Sequence, residues 1–140
     1  MKPLVLLLAS AWLPAADLAA VKAEPNLERR SDRALANAES ALDDARKAYL
    51  DNDDKRFEAA LAEVDQSMAL CKESLEKSGK NARRSPKYFK KAEIGFRHLI
   101  RRLDNFRQEL SVDDRAPAER LLVQANKLQE DILHMIMGKK

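Results

Sequence analysis

The chain has 140 residues, 26 of them basic and 23 acidic, which gives a net charge of only +3 at pH 7. This balance is not that of a strongly basic protein whose overall charge would draw it to nucleic acid. The single cysteine, Cys71, cannot form a disulfide within the chain, so we expect stability to come from buried apolar surface.

The first segment has the three regions of a secretory signal peptide. Lys2 gives a positive start, an apolar run covers residues 4–13, and alanines follow. The run is too short for a membrane-spanning helix, which needs roughly 20 apolar residues. Small residues permit cleavage after Ala20 or after Ala23, and we expect the second. Residues 1–23 are therefore predicted to be a cleaved signal peptide, and residues 24–140 a single domain that is periplasmic or secreted.

The first two helices are predicted over residues 26–50 and 54–78. In the first, alanines recur at steps of three or four, as on one face of a helix: Ala34, Ala38, Ala41, Ala45 and Ala48. In the second, larger apolar residues follow the same spacing: Phe57, Leu61, Val64, Met68, Cys71 and Leu75. The aspartates at residues 51–54 lie where a helix N-terminus favours a capping side chain and negative charge.

The third and fourth helices are predicted over residues 86–110 and 115–137. Ser85 and Pro86 suit the N-cap and the first turn of the third helix. Its apolar seam is Phe89, Ala92, Phe96, Leu99, Leu103, Phe106 and Leu110. The seam of the fourth helix, which we expect to end at Gly138, is Leu121, Ala125, Leu128, Ile132 and Met135.

Four amphipathic helices of similar length joined by short connections predict an all-α, up-down-up-down four-helix bundle, because short connections favour antiparallel neighbours. An alternative stays open. The alanine-rich first helix could pair with a second copy of the chain and leave a three-helix core, so a homodimer is possible on the sequence.

Charge is distributed unevenly along the chain. Residues 80–107 contain ten basic residues against Glu93 and Asp104. On the third predicted helix the cations share the face opposite the phenylalanine seam, together with His98. The candidate partner-binding residues, including two in the preceding loop, are Arg83, Arg84, Lys87, Lys90, Lys91, Arg97 and Arg101. Such a stripe can hold an acidic protein or an anionic envelope component, although it can equally be a solvated face neutralised by the acidic first half.

Nucleic acid is the weakest candidate partner. The phenylalanines of the third helix belong to its core seam, so they are not free to stack on bases, and export separates the protein from most nucleic acid.

Patterns for metal, haem and catalysis are incomplete. The aspartates at residues 51–54 lack the glycine that a calcium loop needs at its sixth position, which is Arg56. Asp131 and His134 form one carboxylate–histidine pair where a di-metal bundle needs two. A Met68–His134 haem pair is conceivable, but covalent haem attachment lacks its motif. We find no catalytic motif and expect no enzyme and no cofactor.

The sequence thus predicts an exported, non-catalytic helical bundle that binds a macromolecule through a basic face on its third helix. Two other functions stay open: a small periplasmic metal or haem carrier, and a structural or chaperone-like protein that acts through helix exchange.

Overall fold

The computed structural model describes residues 16–138, and within that range it contains helices and no strand. The prediction of an all-helical protein with four long helices is confirmed. The apolar run of the expected signal peptide lies outside the described residues. The helices are α1 (Leu18–Lys22), α2 (Leu27–Leu50), α3 (Asp54–Lys77), α4 (Lys87–Glu109) and α5 (Ala116–Met137), with a 3₁₀ turn at Val112–Asp114. The four predicted helices correspond to α2–α5.

Capping residues explain where α2 and α3 begin and where α5 ends. The side chain of Asn26 accepts a hydrogen bond from the Arg29 N–H at 3.0 Å, and Asp53 accepts one from the Arg56 N–H at 3.2 Å. The aspartate run therefore caps α3, as its position before the helix indicates. The last helix, α5, stops at Gly138, which adopts the left-handed conformation with φ 63°.

Ser85 does not cap α4, contrary to the prediction from its position. The helix begins one residue later than expected, with Pro86 at the N-cap and no side chain bonded to its first turn. The preceding loop is organised instead by Asn81, whose side-chain oxygen accepts from the Arg83 N–H at 2.8 Å and the Arg84 N–H at 3.3 Å. The backbone turn that precedes the helix, rather than a serine cap, sets where α4 starts.

The long helices form one packed group: α2 lies against α3, α4 against α5, α2 against α4, and α3 against α5. Their predicted seams fill the core, and the fully buried side chains include Phe89, Phe96, Met68, Leu75 and Leu99. The five alanines of the predicted α2 seam are all buried, and their small size lets neighbouring backbones approach closely. Gly95 of α4 serves the same purpose, since a Cβ there would lie 2.3 Å from Cδ2 of Leu35 on α2.

α2 and α4 run in the same direction. Asp32 pairs with Lys91, and farther along both helices Arg46 pairs with Glu109, so contacts advance together along the two helices. The acidic residues of α2 are thereby placed alongside the basic residues of α4. This neighbour relation decides how much of the cationic stripe is neutralised.

Residues 16–22 pack against the long helices, although the sequence assigns them to the leader. Ala16, Leu18 and Val21 are buried in the same core as the bundle residues. Among the described helices, none combines the length and apolar character needed to cross a bilayer.

Candidate functional site

All seven predicted partner-binding residues are exposed in the structure. Those on α4 surround an exposed apolar side chain, Ile94, which retains 59% of its accessible surface. Positions three, four and seven residues away from Ile94 are its neighbours on the helix surface, and each of them is basic. These neighbours are Lys87, Lys90, Lys91, Arg97, His98 and Arg101.

One edge of this stripe is neutralised by α2. Lys91 pairs with Asp32 at 3.0 Å, and the Nε2 atom of His98 lies 3.3 Å from a carboxylate oxygen of Glu39. Arg102, which the sequence did not single out, pairs with Asp43. The acidic first half of the chain therefore neutralises the cations along the edge of α4 that faces α2. The acidic residues of α2 are the sequence signal for it, but only the packing of α2 beside α4 brings them there.

Arg97 has a structural partner. Its guanidinium donates to Glu93 at 2.8 Å, and the side-chain amide of Gln129 on α5 donates to the other oxygen of the same carboxylate at 2.8 Å. Glu93 is a buried charge, with 7% of its surface exposed. Because a buried carboxylate needs both hydrogen bonds and countercharge, part of the work of Arg97 is to stabilise the α4–α5 contact.

Three cations of α4 remain without a carboxylate partner in the part of the chain that the structure describes: Lys87, Lys90 and Arg101. The ammonium of Lys87 lies 5.4 Å from the centre of the Tyr88 ring. Together with Ile94 these residues occupy a strip of α4 that faces away from α2. We call Lys87, Lys90, Ile94 and Arg101 the free cationic face.

The two loop arginines occupy different surroundings. The side chain of Arg83 passes close to the C-terminus of α5, where its Cδ lies 2.8 Å from the point a Cβ on Gly138 would occupy. A cation is favourable at a helix C-terminus, so Arg83 has a structural role there. Arg84 is exposed, and within residues 16–138 its side chain has no ion pair. The loop therefore extends the cationic surface through Arg84 more than through Arg83.

The candidate metal and haem ligands lie in different environments. Met68 is fully buried, whereas His134 is exposed on α5. Asp131 accepts a hydrogen bond from the Lys72 ammonium at 3.0 Å, and this bond raises the pKa of Lys72. Across residues 16–138 no three histidine, cysteine or acidic side chains are grouped as a metal site would require.

A groove of about 630 Å³ lies between α3 and α5. Its walls carry both signs of charge, with Glu58 and Asp65 on α3 facing Arg120 on α5, and its lining contains neither histidine nor methionine. These side chains provide no axial ligand of the kind that haem iron takes.

Cys71 lies in the seam of α3 with none of its surface exposed. Burial raises the pKa of its thiol, so the nucleophilic thiolate is suppressed in the folded protein. The position favours a core residue over a nucleophile.

Comparison of the chain with family models, with curated proteins and with solved structures gives no match.

Proposed function

We propose that this protein is an exported, non-catalytic helical bundle that binds an acidic macromolecule through the free cationic face of α4. The main support is that Lys87, Lys90 and Arg101 surround the exposed side chain of Ile94. Within the described residues, none of these three cations is paired with a carboxylate. The core is complete without these side chains, so their arrangement is available for a partner.

The composition of the face favours a protein partner over a small anion. Cations alone suffice to hold phosphate or a sugar acid, whereas Ile94 gives the centre of the face an apolar contact. Interfaces between proteins combine an apolar centre with a polar, charged rim. An acidic protein with an apolar side chain between its carboxylates matches this pattern better than an anionic envelope polymer, the other partner class that the charge permits.

Export and helix order are parts of the same proposal. The leader-like start of the sequence supports export, and the shared direction of α2 and α4 supports an up-down-up-down order of the four long helices. α4 packs against α2 on one side and α5 on the other, with its apolar seam in the core. The remaining face of α4, which carries Lys90, Ile94 and Arg101, is exposed to solvent.

The test is charge reversal on the free cationic face. The variant Lys90→Glu/Arg101→Glu changes the net charge by four without touching an ion pair of the described residues. Arg97 is left intact because its loss would also expose the buried Glu93 carboxylate. The matched control is Lys55→Glu/Lys127→Glu, which makes the same charge change at exposed positions on α3 and α5.

Partners are first crosslinked in exporting cells with the wild-type protein, identified, and then titrated as purified proteins at several salt concentrations. We expect the α4 variant to lose at least tenfold in affinity and to show a weaker salt dependence, because fewer charge contacts remain, while the control stays within threefold of wild type. Ile94→Ala should weaken binding with the salt dependence unchanged. Equal affinities for both double variants would contradict the proposal.

A further inference from the structure

The groove between α3 and α5 lies outside the free cationic face and has the features of a separate ligand site. Leu61 of α3 and Leu121 of α5 form its apolar floor, and each keeps only 6% of its surface exposed. Ala62 and Pro117 also line it. The volume of about 630 Å³ is typical of small-molecule sites, which occupy roughly 300–1,000 Å³. The groove is therefore large enough to hold a small organic molecule.

Opposite charges face each other across this groove. Glu58 and Asp65 lie about two turns apart on the same side of α3, and Arg120 lies on α5. All three side chains are exposed. Within the described chain, Arg120 forms no ion pair with either carboxylate. The groove therefore separates these charged groups by more than the roughly 4 Å of an ion pair.

This separation differs from the arrangement at the other charged edges of the protein. About two turns beyond Asp65 on α3, the Lys72 ammonium donates to Asp131 of α5 at 3.0 Å. On the edge between α2 and α4, Asp32 pairs with Lys91 at 3.0 Å. Opposite charges on facing helices thus meet where the helices pack closely, and they stay apart where the groove lies between them.

We propose that the groove binds a small zwitterion with an aliphatic body, the chemistry that an apolar amino acid shares with short apolar peptides. The ammonium group of the ligand pairs with Glu58 or Asp65, and its carboxylate pairs with Arg120. The aliphatic side chain lies on the floor formed by Leu61 and Leu121. Neither this site nor the binding function of α4 depends on the other.

Charge and apolar surface together select this class of ligand. A purely anionic molecule meets the two carboxylates on α3, and a purely cationic molecule leaves Arg120 without a counterion. A zwitterion supplies one charge to each wall, and both of its charged groups form strong, charge-assisted hydrogen bonds. An aliphatic body adds the favourable transfer of apolar surface from water into the groove.

The first experiment titrates the purified full chain with leucine and with leucyl-leucine, and follows the backbone amide shifts by NMR. We expect saturable shifts that are largest for the residues lining the groove, with a dissociation constant on the order of 1 mM for the better ligand. The tighter of the two ligands identifies whether the site takes an amino acid or a peptide. No saturable shift from either ligand would overturn the inference and leave the binding proposed for α4 standing.

The second experiment tests the two charge contacts one at a time. Acetylation of the ammonium group and amidation of the carboxylate each remove one charge from the better ligand. Each should weaken binding to the wild-type protein by about fivefold or more. The amide should bind Arg120→Gln as well as the parent ligand does, because the contact with the carboxylate is already lost. The acetylated ligand should likewise match the parent ligand on Glu58→Gln/Asp65→Asn.

The control variants carry the same kinds of substitution at exposed positions outside the groove lining: Lys47→Gln on α2, and Glu119→Gln/Glu130→Gln on α5. Both controls should bind all three ligands as the wild-type protein does, and circular dichroism should show the same helicity in every variant. If acetylation and amidation weakened binding equally in every variant, the three charged side chains would not contact the ligand, and the inference would be wrong.

Discussion

Replacement of Gly95 by alanine tests the contact between α4 and α2. Gly95 lies inside α4 with an ordinary helical backbone, so alanine fits its conformation and gains about 1 kcal/mol of helix propensity over glycine. If α4 were free on this side, the substitution would stabilise the protein by about that amount.

The structure predicts the opposite sign. The new Cβ would lie 2.3 Å from Cδ2 and 3.4 Å from Cγ of Leu35, whose side chain is 7% exposed and therefore has little room to move. Overpacking of this kind costs about 1–3 kcal/mol. After subtraction of the propensity gain, we expect Gly95→Ala to lower the free energy of unfolding by roughly 1 kcal/mol.

The assay is urea unfolding followed by circular dichroism at equilibrium, with a double-mutant cycle against Leu35. Leu35→Ala alone should cost about 2–5 kcal/mol as a large-to-small change in the core. In that background the obstacle is gone, so Gly95→Ala should become stabilising by up to about 1 kcal/mol. Stabilisation by Gly95→Ala in the wild-type background, or a cycle with no coupling between the two sites, would refute the described packing of α2 on α4.

Three further predictions each concern a single side chain. Cys71 should resist thiol reagents at pH 8 in the folded protein and react at the rate of global unfolding, and fast labelling without denaturant would contradict its burial. Burial is the main cause that raises the pKa of Glu63 above its ordinary value of 4.5. The folded chain therefore holds this proton more tightly than the unfolded chain. As a result, the free energy of unfolding falls as the pH rises through and above 4.5. Glu63→Gln should therefore raise the melting temperature of the unprocessed chain at pH 7 and have little effect at pH 3, whereas equal shifts at both pH values would point to packing alone. Arg97→Ala should cost about 1–2 kcal/mol in urea unfolding, because the buried Glu93 carboxylate loses a charged donor, and the cost should shrink when Glu93 is replaced by glutamine first.

The candidate site could be found from the sequence only in part. Helical spacing identified the basic face of α4, and all of its proposed residues are exposed. Spacing along one helix does not reveal which cations meet a carboxylate on another. Lys91 is paired because Asp32 lies on the adjacent α2, and Arg97 is paired because Glu93 is buried against α5. Lys90 and Arg101 have no carboxylate partner because no acidic residue of a neighbouring helix reaches them within the described chain.

The sequence by itself determined the four long helices of this protein, because apolar spacing and most capping residues act within a few positions of one another. The alanine series of α2 and the Asp53 cap of α3 needed no information from elsewhere in the chain. Only the tertiary structure reveals that residues 16–22 pack against the core. Their alanines are typical of the end of a leader, yet Leu18 and Val21 are buried and Ala16 reaches Asp44, 28 positions away. Burial and charge pairing depend on which helices become neighbours, and no local pattern contains that information.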